Sequence, residues 1–292
     1  MKDGILKAIS GDGTIRAVIA TTTALVECAR LKHELSFTST AVLGRGLTAG
    51  VLLAPLMLKE GQVALKFQGN GPIGKMMIDA SPLGTVRGFV EHPQVELPLN
   101  GLGNFDVGGA IGKMGYLHVT IDRGYGWPHN STVELLSGEV GEDVNHYLVT
   151  SAQNTGSIVL VGTHLNDKGV EAAGGLIVQL LPGHTEETIG KIENNITTFG
   201  TFTFLMRRGM SLQEILSRIL NGLEFQALTD VTPVSFFCKC SNERFVEALK
   251  VLGKQDLISM AEEDGKAEGR CHFCNQFYYV NKERLLDLAG GR

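Results

Sequence analysis

Four cysteines near the end of this 292-residue chain fall into two tight pairs, Cys238-Lys239-Cys240 and Cys271-His272-Phe273-Cys274, with thirty residues between them. The remaining cysteine, Cys28, lies more than two hundred residues upstream. Cysteines one or two residues apart can put two sulfurs on one ion, so the fold has only to bring the pairs together. Four thiolates at tetrahedral corners suit zinc, with Zn–S bonds of about 2.3 Å. Zinc binding through Cys238, Cys240, Cys271 and Cys274 is the chemistry these residues predict.

Their spacing leaves the purpose of the metal open. One use is a staple that only folds the surrounding segment. The other is a redox switch, because metal-bound thiolates remain oxidisable and disulfide formation destroys them as ligands. Lys239, Arg244, Arg270 and His272 bring positive charge to the motifs, which favours thiolate. The same cations would serve a staple by neutralising a four-thiolate zinc site. A third use, thiol–disulfide exchange at Cys271-x-x-Cys274, wants the first cysteine at a helix N-terminus in a βαβ unit. Here the following Asn275–Val280 reads as turn and strand. His272 is not expected as a ligand, since four sulfurs already fill the tetrahedron.

The segment carrying these cysteines, residues 231–292, holds nine basic and nine acidic residues and is short for an independent core. It reads as strand, helix, helix, strand, knuckle, strand and helix. Ser241 is placed to cap a helix bearing Phe245, Ala248 and Leu249 that stops at Gly253. Metal would supply the stability that this segment lacks.

Upstream, helices are expected at Thr21–Glu34, with Leu25, Cys28, Ala29 and Leu31 on or near one face, and at Thr38–Leu58, ending near Pro55. Cys28 reads as a buried small hydrophobe. Strands are expected at Gln62–Gln68, Lys75–Ala80, Val86–Val90 and Tyr116–Asp122. Val140, Val144, Tyr147 and Leu148 make Glu139–Gln153 an amphipathic helix, and Gly174–Leu181 a buried strand. Helices then dominate to about residue 230, with Ile189, Ile192, Ile196 and Phe199 on one face and a capping box at Ser211–Glu214. Gly69-Asn70-Gly71-Pro72-Ile73-Gly74 matches the dinucleotide pattern literally. Pro72 and the β-like residues after it instead predict a hairpin turn.

Composition narrows the function classes. Hydrophobic residues at 43% and charged residues at 20% are those of a globular protein, and thirty-seven glycines against eight prolines suit a turn-rich β component. A net charge of −5 argues against nucleic-acid binding, which needs clustered cations. The longest apolar stretch, Gly46–Leu58, is short for a membrane span and Arg45 interrupts its extension. The opening Met1-Lys2-Asp3-Gly4 does not lead into a signal-peptide core, so a cytoplasmic location is expected. In that reducing compartment close cysteine pairs read as metal-binding or redox-active. No Ser/His/Asp or paired-carboxylate arrangement is recognisable.

Pro233-Val234-Ser235-Phe236-Phe237-Cys238-Lys239-Cys240-Ser241, Arg244 and the Cys271-x-x-Cys274-Asn275 knuckle resemble the redox switch of the bacterial 33-kilodalton heat-shock chaperone family. The resemblance extends to Asp3–Ala20, to Gly69-Asn70-Gly71-Pro72, and to Ala173–Leu176 with Leu181-Pro182-Gly183. It implies an ATP-independent holdase rather than an enzyme. The reduced form would hold one zinc on all four cysteines and be inactive. Oxidation would pair Cys238 with Cys240 and Cys271 with Cys274, release the zinc, unfold the segment and its linker, and expose apolar surface to unfolding client proteins, with homodimer formation on activation. The implied layout is α+β: an N-terminal mixed α/β-sheet domain at 1–180, a helical linker at 181–230 and a zinc-binding redox-switch domain at 231–292. One departure is that Glu139–Ser157 is less acidic than the family leads one to expect. A disulfide within either motif closes almost no loop, so it constrains the chain far less than the ~3 kcal/mol of a fifteen-residue loop. A structural zinc is worth an apparent ~10–16 kcal/mol. Oxidation of this kind therefore loosens the segment. The alternatives carried beside this reading are a zinc-stapled nucleic-acid-binding protein and a thiol–disulfide oxidoreductase.

Overall fold

The computed structural model describes residues 2–151, 156–228 and 230–290, which cluster into two compact units, Met1–Phe237 and Cys238–Arg292. The first unit begins with β1 (Gly4–Ser10), β2 (Ile15–Thr21), α1 (Thr23–His33) and α2 (Phe37–Met57). Next come β3 (Gln62–Gln68), β4 (Lys75–Ala80), β5 (Thr85–Val90), α3 (Val107–Ile111), β6 (Tyr116–Asp122), β7 (His129–Glu134) and α4 (Val140–Thr150). It continues through β8 (Ser157–Asn166), β9 (Gly169–Leu180), α5 (Glu186–Phe199), α6 (Phe202–Arg207) and α7 (Leu212–Ile219). Three short strands close it: β10 (Phe225–Ala227), β11 (Thr232–Pro233) and β12 (Ser235–Phe236). The second unit contains α8 (Asn242–Leu249), α9 (Lys254–Glu263), β13 (Lys266–Arg270), β14 (Phe277–Asn281) and α10 (Lys282–Ala289).

Two sheets build the first unit. One runs β10-β1-β2-β9-β8, with β11 also on β1; the other runs β12-β5-β4-β3-β6-β7. Pairing is antiparallel except for β12 on β5. Helix α2 shares one core with both sheets, joining Ile5, Val18 and Ile177 of the first to Val63, Leu65 and Ile78 of the second. Its glycines make that possible. A Cβ at Gly46 would sit 2.6 Å from Met76 Sδ, and one at Gly44 would sit 2.6 Å from Thr163 Oγ1. Each helix-interior glycine costs roughly 1 kcal/mol of propensity and lets a strand approach the helix axis.

Helix α2 matches the expected Thr38–Leu58 to within one residue at each end and takes in Arg45, whose guanidinium is ion-paired to Glu139. By length and composition it could cross a membrane, but 83% of its most apolar window is buried within the chain. That apolar surface is already used by the two sheets.

The β1-β2-β9 sheet is buried on both faces, which explains its continuous apolar runs. Leu6, Ala8, Ile15, Ala17, Ile19, Leu176 and Val178 point away from α2 and pack beneath Ile192, Phe202, Leu205, Ile215, Leu216 and Ile219 of α5–α7. Ile189 and Ile196 are half-buried, and the side chain of Phe199 lies outside the described residues. The Ser211 capping box is formed in both directions: Glu214 N–H donates to Ser211 Oγ (3.2 Å), and Ser211 N–H donates to the Glu214 carboxylate (2.7 Å). Val231–Phe237, grouped with the cysteine segment in the sequence reading, pairs through β11 and β12 with β1 and β5 of the first unit.

Some expectations shift. Leu31 is 62% exposed, so the buried face of α1 is Leu25, Val26, Ala29 and His33. Cys28 sits at the edge of that face and is half-buried rather than buried. The C-terminal end of the helix expected at Glu139–Gln153 falls outside the described residues at Gln153. Strands β7 and β8 were not read from the sequence. The first is mostly polar on a sheet edge, whereas the second carries a strand-favouring run, Ile158-Val159-Leu160-Val161, between Gly156 and Asn166-Asp167.

Candidate metal centre

The cysteine-bearing unit is small. Leu249, Leu257, Ala261, Ala267, Val280, Leu285 and Leu288 form its buried core, drawn from its three helices and one hairpin. The β13–β14 hairpin holds one cysteine pair at its turn, and the chain leading into α8 carries the other.

Cys238 and Cys240 are half-buried with Lys239 exposed between them, the two-residue alternation of extended backbone. The chain then enters α8 through Ser241, whose Oγ accepts the Arg244 N–H at 3.3 Å. At the other pair the knuckle is closed by two backbone bonds, Cys271 N–H to the Gln276 carbonyl (2.9 Å) and Asn275 N–H to the Cys271 carbonyl (2.8 Å). Asn275 takes φ 63°, a left-handed conformation that asparagine tolerates better than most residues. These bonds turn Cys271 and Cys274 toward the first pair.

All four sulfurs lie within 4.8 Å of one another, with Cys238–Cys271 at 3.7 Å and Cys240–Cys274 at 3.1 Å. Such a cluster can hold one soft metal ion. Burial pushes the Cys271 and Cys274 thiols up from their ordinary values. A divalent cation would reverse that preference by supplying the charge that thiolates need.

Tyr278 is the residue that sequence reasoning missed. Its hydroxyl donates to Cys240 Sγ at 3.1 Å, and that bond to the sulfur pushes the phenol above its ordinary value. Its position follows from the hairpin register. Gly269 pairs with Tyr278, and the Phe245 ring of α8 lies over the glycine where any Cβ would overlap it. Phe245 and Tyr278 rings are 6.3 Å apart, so α8 props the tyrosine toward the sulfur. The alternation in Phe277-Tyr278-Tyr279 was the available signal: the outer two are 63% and 69% exposed, and the middle one turns inward.

The expected cations are arranged differently. Arg270 lies over the Phe277 ring at 5.0 Å, and Lys239, Arg244 and His272 are exposed. Elsewhere, the Gly69–Gly74 loop connects two strands, β3 and β4, and opens no helix. It is packed against Ala110–Gly112, with Gly71 N–H donating to the Ile111 carbonyl at 2.9 Å. A Cβ at Gly71 would overlap the Ala110 carbonyl, so these glycines serve a close backbone approach and leave no phosphate cradle.

A two-sheet unit wrapped on a buried helix and layered with three more, joined in sequence to a small four-cysteine knuckle, defines a mixed α/β protein with a metal-type cysteine centre. The chain belongs to the Hsp33 family, whose model, described as Hsp33 protein, matches residues 3–281. It is 46% identical over 291 residues to the 33 kDa chaperonin of Gloeothece citriformis, covering 99% of this chain and 97% of that one. It is 45% identical to the 33 kDa chaperonin of Synechocystis, with 99% and 97% covered. The crystal structure of the 33 kDa chaperonin (heat shock protein 33 homolog) of Thermotoga maritima superposes with a TM-score of 0.92 at 34% identity, covering 100% and 99%. Membership brings a chaperone role, and the relatives' names indicate no catalytic activity.

Proposed function

We propose that this chaperone is an ATP-independent holdase governed by a zinc-dependent redox switch. The observation that carries the reading is the convergence of four sulfurs within 4.8 Å in a unit whose apolar core is seven side chains. A tetrahedral site with Zn–S bonds of about 2.3 Å needs sulfurs roughly 3.8 Å apart; the 3.7 Å Cys238–Cys271 separation suits it, and the 3.1 Å Cys240–Cys274 separation would widen on metal binding. An all-sulfur donor set favours zinc among the common divalent ions. In this reading Cys238, Cys240, Cys271 and Cys274 hold one Zn²⁺ in the reduced, inactive state.

Peroxide takes two electrons from each pair of thiolates. One S–S bond forms, the O–O bond breaks, and two protons complete two waters. The products are Cys238–Cys240 and Cys271–Cys274. All four sulfurs lie within 4.8 Å of one another, and closing a disulfide of about 2.05 Å within each motif removes its two sulfurs as metal ligands. Metal release and local unfolding then go together.

The next step is loss of the helical layer. Among the described residues, Arg207 Nε reaches Glu171 on the sheet at 3.1 Å, while Asn195 bonds the carbonyls of Ile219 and Asn221 at 3.0 and 2.9 Å within the layer. The main attachment is apolar. Undocking α5–α7 would bare the Leu6, Ile15, Ile19, Leu176 and Val178 face to unfolding client proteins. The functional division in this reading is a core at 1–180, a linker at 181–230 and a switch at 231–292, with a homodimer forming on activation, in the cytoplasm, without nucleic-acid or membrane partners.

The test is zinc released against peroxide added, with light scattering from a heat-unfolding client followed in the same samples. Metal release and client protection rising together, both reversed by reductant, support the switch. Zinc loss with no gain in protection would reduce the cysteines to a staple.

A further inference from the structure

A cavity of about 490 Å³ opens at the C-terminal end of α2, lined by β1, β2 and the Pro82-Leu83 turn. Three cations reach it: Lys7 of β1, Arg16 of β2 and Lys59 just past α2. Lys7 pairs with Val18, two residues from Arg16, so both side chains stand on one sheet face. No acidic residue is among its described lining residues, in a chain whose net charge is −5.

Arg16 is the sharpest sign of a missing partner. Its Nη2 donates to the neutral amide oxygen of Gln179 at 2.5 Å, and its Nε is buried without a hydrogen-bond partner. Among the described residues none of the three cations forms an ion pair. The C-terminal end of α2 offers about half a negative charge, against three full positive ones. A half-buried guanidinium without counter-charge is costly, and a bound anion would remove that cost.

Apart from Thr232, the remaining walls are apolar. Pro55, Leu56 and Met57 form one side, and Leu83 and Leu228, 69% and 48% exposed, stand at the mouth. A ligand tail lying there would take both leucines out of water.

We propose that this cavity binds a small amphiphilic anion, a carboxylate on a short alkyl body, with the headgroup on Arg16 and Lys7 and the tail against Pro55, Leu83 and Leu228. The ligand would bridge β1 to the chain just after β10, where Leu228 N–H already donates to the Lys7 carbonyl at 2.8 Å. Binding therefore favours the state in which this connection is docked. The site lies wholly within Met1–Phe237, and its chemistry is independent of the cysteines.

Octanoate, octan-1-ol and inorganic phosphate are titrated separately into the reduced, metal-loaded full chain, followed by calorimetry and by amide shifts of Lys7 and Leu228. Saturable one-to-one binding of octanoate is expected, with each of the other two probes at least tenfold weaker. Arg16→Gln should weaken octanoate about tenfold, the scale of one charge-assisted hydrogen bond. Since Arg16 is partly buried, Leu83→Asp at the exposed mouth gives a second arm without touching the core, and should weaken octanoate by replacing an apolar wall of its tail with a charge. Octanol binding as tightly as octanoate would overturn the anion site, and phosphate doing so would overturn the amphiphile. Octanoate affinity unchanged in both variants would overturn the location.

Discussion

Tyr278 donates its phenolic hydrogen to Cys240 Sγ across 3.1 Å, giving one corner of the four-sulfur cluster a fixed donor from the next strand. A hydrogen bond of this kind stabilises negative charge on the sulfur and sets its direction. Outer partners of metal ligands are commonly worth ten- to hundredfold in affinity. Tyr278→Phe keeps the ring that packs on Phe245 and removes only the donor. The expected outcome is a zinc affinity lowered by about tenfold and metal release at lower peroxide, both read by competition with a chromogenic chelator. Unchanged affinity would make the phenol a bystander.

Removing a sulfur acts on the unit as a whole. Its core of seven buried apolar side chains is small, so on the zinc reading the metal supplies a large part of its folding free energy. Cys271→Ser should abolish tight zinc binding and open Cys238–Arg292 even with reductant present. Limited trypsin digestion with mass spectrometry should then find new cuts at Lys250, Lys254 and Lys266, while Met1–Phe237 persists. Wild-type resistance in the reduced variant would contradict a metal-dependent fold.

The helical layer offers a separate handle. Ile215 is fully buried between α7 and the β1-β2-β9 face, so Ile215→Ala leaves a cavity costing about 2–5 kcal/mol. That loss falls on the contact that must break for α5–α7 to undock. The variant should suppress client aggregation at lower oxidant than the wild type, measured by light scattering at matched zinc release. An unshifted dose dependence would place the client surface elsewhere.

What could be read beforehand divides along physical lines. The cysteine spacing is a local pattern tied directly to tetrahedral geometry, so the convergence of the four sulfurs within 4.8 Å was legible. Strands β3, β4 and β6 were legible with their boundaries because each buries alternate residues between clear turns. Tyr278 was not, because its role depends on the cross-strand partner Gly269 and on a ring from α8. Leu31 was placed on or near the buried face of α1, but it falls outside the stretch that the core covers. Helix α2 was legible to within one residue at each end, expected at Thr38–Leu58 and found at Phe37–Met57, but the partner of Arg45 was not, because Glu139 lies ninety-four residues away.

Asp143 provides a pH test inside the first unit. It is fully buried, and burial raises its carboxyl above the ordinary 3.8, opposed by N–H donors from Leu136 (2.7 Å) and Ser137 (3.3 Å) to Oδ1. Oδ2 is buried without a partner. Between the unfolded and the higher folded value, the folded state holds more protons than the unfolded one. Stability from this group is therefore fully present below the unfolded value and is lost as pH rises through the folded value. Asp143→Asn keeps the Oδ1 acceptor and removes the titration. Urea unfolding of both proteins across the acidic range isolates this group, because the other carboxylates are common to both. The stability of wild type minus variant should fall as pH rises through the carboxylate range and level off toward neutrality. A difference that stays constant would mean that the two backbone donors balance the burial of the charge, and one that grows with pH that they outweigh it.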